Sequence, residues 1–80
     1  MAHICLMRRA RHGDRAAFLA VPLHERTGPL ALQARARAVG RHALCAECVA
    51  ALGAATAIAR FRQQLARRYP QTAFEIRPAP

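Results

Sequence analysis

Lysine and tryptophan are missing from this 80-residue chain, only four residues are acidic, and aromatic residues make up 5% of it. Each shortage excludes something. The carboxylates are scattered at Asp14, Glu25, Glu47 and Glu75, so no pair is placed for general acid/base work or for holding magnesium, and an enzyme is not expected. Tyr69 and the three phenylalanines are all needed for a core, which leaves no stacking platform for unpaired bases. No apolar run approaches the ~20 residues of a membrane span, and residues 4–7 are too short for a signal-peptide core. The expected setting is therefore the cytoplasm, without a membrane partner. An odd cysteine count of three does not make a secreted disulfide framework. There is also no glycine-rich phosphate loop, no RNA-binding aromatic strand motif and no internal repeat to tie the chain to a family.

What the chain has in excess is arginine. Thirteen basic residues, all arginine, against four acids give a formal net charge of +9 and a pI near 11.7, which favours a polyanionic partner. Arginine over lysine is also what a GC-rich coding sequence produces, so the choice of base is weaker evidence than the net charge. The apolar share is 54%, but about half of that is alanine, which contributes little compared with the ~1.5–3 kcal/mol of a buried large side chain. The larger core candidates are Ile4, Leu6, Met7, Phe18, Leu19, Val21, Leu23, Leu30, Leu32, Val39, Leu44, Val49, Leu52, Ile58, Phe61, Leu65, Tyr69, Phe74 and Ile76. A single domain over residues 1–80 is expected, near the size at which only about 60% of the unfolded surface is buried. A homodimer, a partner or a metal would add stability.

The first forty residues read with a period of two. Residues 2–9 alternate Ile4 and Leu6 with Cys5 and Met7 and predict a strand. Residues 16–24 predict a second, with Leu19, Val21 and Leu23 on one side and Phe18 and Ala20 on the other, and Pro22 suggesting an edge position or a bulge. Gly13-Asp14 and residues 25–28 supply turns, so the strands read as a meander. Residues 29–39 are ambiguous. Alanine, leucine, glutamine and arginine favour helix, with Pro29 suited to a first helical position. An unbroken alternation instead favours a third strand with Arg35 and Arg37 on one face; in a helix they would sit about 200° apart. The strand is the preferred reading.

Past Gly40 the spacing becomes helical. Leu44, Cys48, Ala51, Ala55, Ile58, Phe61, Leu65 and Tyr69 form one stripe at steps of three and four, with Gly53 a point of bending and Pro70 the stop. Residues 71–77 alternate again, with Phe74 and Ile76 inward, and residues 78–80 form a tail. The expected class is α+β: an antiparallel sheet in the order β-β-β-α-β with one long helix across one face, or β-β-α-α-β if residues 29–39 are helical.

Three residues carry the only recognisable chemistry. His42, Cys45 and Cys48 have the types and spacing of zinc ligands, with His3, Cys5, His12 or His24 as candidates for a fourth, but no second matching pair follows them. A continuous helix would rotate successive ligands by about 60° and spread the three. A redox reading needs Cys45 at a helix N-terminus with Cys48 one turn on. The preferred reading is packing, because Cys48 already falls on the apolar stripe. No cofactor is expected, zinc being the one candidate. His24 beside Glu25 would point to the opposite face of a strand, and His12 reads as a turn residue.

Function then falls to the arginines. They group as Arg8, Arg9, Arg11 and Arg15; as Arg35, Arg37 and Arg41; and as Arg60, Arg62, Arg67 and Arg68. Four acids cannot pair them off. The expectation is a small non-enzymatic module that binds nucleic acid or a nucleoprotein complex through phosphate contacts from Arg35, Arg37, Arg60 and Arg67. The alternative is a protein-binding regulator or inhibitor of the kind phages and mobile elements encode against host defence, docking on an acidic surface of a host complex.

Overall fold

Alanine decides the most ambiguous segment of the chain. In the computed structural model, which describes residues 8–9 and 15–80, residues 29–39 are not a strand: Leu30–Val39 forms helix α1. The alternation there is written in alanine, the strongest helix former and a residue whose burial yields little, so helix propensity outweighs a period of two. Local groups frame the helix. The Pro29 carbonyl accepts the Gln33 N–H at 3.0 Å, Gln33 Nε2 donates to the Gly28 carbonyl at 2.8 Å, and Gly40 donates its N–H back to Ala36 at 2.9 Å. Gly40 stops the helix with φ 77, a left-handed conformation that costs any other residue. Only Ala36 and Val39 are buried, and Leu30, expected in the core, is 80% exposed.

The remaining elements are strand β1 (Arg8–Arg9), β2 (Ala16–Pro22), β3 (His42–Cys45), helix α2 (Ala46–Leu52), α3 (Ala54–Arg68) and β4 (Phe74–Pro78). The α+β class holds, and the order follows the arrangement with a helix over residues 29–39, with the short β3 placed between the helices. All strand pairs are antiparallel, in spatial order β1-β3-β2-β4. The expected meander is therefore corrected, since β3 lies between β1 and β2. Apart from Arg8 and Arg9, the strand expected over residues 2–9 lies outside the described residues.

β2 is central, not an edge strand. It tolerates Pro22 because Pro22 is its last residue; the bonding resumes at Leu23, whose N–H reaches the Ala73 carbonyl at 3.0 Å. A register shift does occur, but between Ala16 and Phe18. Phe18 and Ala20 face the core, while Leu23 is half exposed. β4 runs further than expected: Pro78 pairs with Phe18, and Ala79 donates to the Ala17 carbonyl at 2.9 Å, so residues 78–79 belong to the sheet and not to a tail.

The long helix expected after Gly40 is three pieces. Residues 42–45 are a strand buried at every position, and a strand covered on both faces carries no alternation to betray it. Gly53, at φ 83 and ψ 150, lies in a region almost reserved for glycine. It ends α2 by donating to the Val49 carbonyl at 2.8 Å and opens α3 by accepting from Ala57 at 2.9 Å. α3 buries Ala57, Phe61 and Leu65, one turn apart, against Ala20, Leu44, Cys45 and Cys48. Phe18, Val49, Leu52, Ile58, Tyr69, Phe74 and Ile76 form the rim. Phe61 is fully buried, a contribution of about 2–3 kcal/mol from transfer alone.

Candidate nucleic-acid interface

The burial of α3 sets where its arginines point. With Ala57, Phe61 and Leu65 inward, Arg60 and Arg67 share one flank of the helix, being seven residues and about 10 Å apart along the axis. Arg62 lies on the opposite flank, lining an open groove with Leu65, Phe74 and Ile76. Arg67 and Arg68 occupy the last turn, where positive charge is favoured by the negative end of the helix dipole. The chain then turns through residues 69–73, whose Gln71, Thr72 and Ala73 line a cleft together with Arg35 and His24. Arg35 of α1 and the C-terminal arginines of α3 therefore flank the same loop.

The expected clamp of Arg35 with Arg37 is not formed. On a helix the two diverge by about 200°, and the Arg37 guanidinium is used locally, donating to Gln33 Oε1 at 3.1 Å. Arg41 is likewise committed elsewhere. Its Nε and Nη2 donate to the two carboxylate oxygens of Glu25 at 2.9 and 2.7 Å, the fork geometry in which guanidinium binds carboxylate best. That bond holds the Glu25 carboxyl below its usual range; the nearby charges of Arg41, Arg26 and Arg77 act the same way, and slight burial opposes them. The same bond holds Arg41 more firmly protonated. Glu75 is engaged by Arg77 on its own strand. Among the described residues no carboxylate pairs with Arg35, Arg60, Arg62, Arg67 or Arg68. Arg8 and Arg9 form the edge strand β1, opposite Ala43 and His42.

The three-residue metal set is separated by the strand that carries it. His42 is buried at 3% exposure and packs on aromatic rings: Tyr69 at 5.2 Å between centroids and Phe74 at 6.1 Å, with Tyr69 Oη 3.3 Å from Nε2. Cys45 and Cys48 meet at the start of α2, with their Sγ atoms 3.4 Å apart. His42 thus packs on aromatic rings, while the two cysteines face each other at the N-terminus of α2. Among the described residues no three His, Cys, Asp or Glu side chains converge as a metal site. His24 lies in the cleft beside Arg35, and His3, Cys5 and His12 lie outside the described residues.

Two features of the site went unread in the sequence. The Glu25–Arg41 pair joins residues sixteen apart and has no local signal. The grouping of Arg35 with the end of α3 depends on residues 29–39 being helical, which the alanines concealed. Among the described residues, no helix is long and apolar enough to cross a membrane. Comparison with known proteins adds no relative: no family model matches the chain, and no curated protein or solved structure matches it significantly.

Proposed function

We propose that this protein is a small, non-enzymatic, cytoplasmic binding module whose exposed arginines grip the phosphates of a nucleic acid, alone or within a nucleoprotein complex. The observation that carries this reading is the set of guanidiniums on α3 and at Arg35 that no carboxylate answers among the described residues. Such groups draw in a polyanion and release its condensed counterions on contact. Arg60 and Arg67 lie along one flank of α3, and Arg35 and Arg68 flank the loop at residues 69–73. Among the described residues Phe61 is buried and Phe18, Tyr69 and Phe74 are half-buried, so contact is made to the backbone and sequence preference is weak.

The test is a salt titration of binding to random duplex and single-stranded DNA. With Arg35, Arg60 and Arg67 each neutralising one phosphate, log K should fall against log salt with a slope of about −3 on duplex. Absence of binding at low salt, with an acidic protein recovered as the partner from the native host, would overturn it in favour of docking on a protein surface.

A further inference from the structure

We propose that Cys45 and Cys48 are a reversible disulfide site, a redox-sensitive latch where β3 meets α2. Cys45 is the N-cap of α2 in extended conformation, with φ −75 and ψ 157, and Cys48 follows one turn on. Their sulfurs lie 3.4 Å apart, and Cys45 Sγ also accepts the Cys48 N–H at 3.4 Å. A disulfide needs about 2.05 Å between sulfurs. The two sulfurs must therefore close by a further ~1.4 Å on oxidation. The sheet holds the position of Cys45, because β3 is paired along its length and Cys45 itself sits opposite Ala16. Helices are ordinarily capped by the oxygen of Ser, Thr, Asp or Asn; sulfur is a weaker acceptor, and what it adds at this position is oxidation chemistry.

The oxidant is a low-molecular-weight disulfide. The Cys45 thiol loses its proton, and the thiolate attacks one oxidant sulfur, breaking that S–S bond, forming a mixed disulfide and releasing one thiol. The Cys48 thiolate then attacks the Cys45 sulfur and expels the second thiol. The two cysteine protons end on the two released thiols; the protein pair loses two electrons and the oxidant gains them. Cys45 is 4% exposed and Cys48 2%, so the reaction waits on local opening of α2. Opening this short helix frees the buried Cys48 and the partly buried Val49 and Leu52, a local and not a global unfolding. Closure then ties α2 to β3 with both sulfurs still in the core. This site stands apart from the arginine surface and does not rest on the function proposed for it.

The full chain is treated with glutathione disulfide, quenched in acid, alkylated with N-ethylmaleimide and digested with trypsin. Cleavage after Arg41 and Arg60 isolates residues 42–60 with Cys45 and Cys48 as the peptide's cysteines, Cys5 falling elsewhere. This peptide should lose two hydrogen masses and both alkylation sites, and regain them with dithiothreitol, while the far-UV spectrum of the intact protein is unchanged. Cys48→Ser should stop at the mixed disulfide on Cys45; should that variant not fold, the wild-type peptide decides the matter. Three results would overturn the proposal: both thiols staying alkylatable under oxidant that closes them in a denatured control, glutathione persisting on either cysteine, or co-purified zinc at one per chain shielding both.

Discussion

Glu25 and Arg41 join the loop that follows β2 to the residue that precedes β3, and the bond's two ends sit in unequal solvent. The Arg41 side chain is 44% exposed and that of Glu25 21%, so screening limits the pair to about 0.5–1 kcal/mol even with two-point geometry. Its pH dependence has a fixed sign. The folded carboxyl is held below the ordinary 4.5, chiefly by its hydrogen bond to Arg41. The unfolded chain therefore binds the proton first as pH falls, and the pair's stabilisation is present above pH 4.5 and is lost as pH drops through the lower, folded value. Glu25→Gln should therefore lower the thermal midpoint by a few degrees at pH 7. The gap to wild type should narrow as the pH falls below 4.5 and through the lower, folded value, as the Glu25 carboxyl takes up its proton. Thermal melts across that range check it; a gap that widened in acid would mean the carboxylate is held against its preference. A buried counterpart is His42, held among Tyr69 and Phe74. It shows why ligand types in suggestive spacing are weak evidence: His42 packs on aromatic rings while the cysteines face each other.

Gly53 separates two helices that the residue spacing joins. The apolar stripe from Leu44 to Tyr69 reads as one helix, and its strongest members, Phe61 and Leu65, are buried as that reading requires. Ala51 and Ala55, however, are exposed. They sit on either side of Gly53, where the backbone leaves the helical region, and alanine is too weakly apolar for its position to betray the break. Gly53→Ala tests this directly. A Cβ there meets nothing within 4 Å, so the cost is that of the backbone conformation alone, about 1–2 kcal/mol or more, read as a lower urea midpoint with unchanged m-value. A gain in stability would mean that α2 and α3 merge into the single helix the spacing suggests. Side-chain size decides what was legible elsewhere. β2 and β4 carry large side chains in alternation, Phe18, Phe74 and Ile76 among them, and were readable. The helix at residues 30–39 was readable only as the second of two alternatives, because alanine satisfies either period, and the strand at 42–45 was not readable, because burial on both faces erases the pattern.

Across the whole molecule the arginines are distributed, not pooled, and this determines how their effects should combine. Arg41 and Arg77 are neutralised by Glu25 and Glu75, Arg37 is drawn to Gln33, and Arg62 faces the groove beside β4. On the helices, Arg60 and Arg67 lie along one flank of α3, with Arg35 and Arg68 flanking the adjoining loop, and these four are the arginines of the proposed phosphate-binding surface. Sites with no shared partner contribute additively, and every phosphate that is no longer gripped should take about one unit off the salt slope. Arg60→Ala with Arg67→Ala should therefore reduce the slope on duplex DNA by about two, whereas Arg37→Ala should leave it nearly unchanged. Thermal midpoints should stay within about two degrees of wild type, because solvated side chains away from the core contribute little to stability. Equal weakening by Arg37→Ala and Arg60→Ala would point to net charge alone as the source of binding. Unequal weakening in the stated order would locate it on one flank of α3, where seven residues of helix set the spacing of two guanidiniums and the burial of Phe61 and Leu65 fixes which flank they occupy.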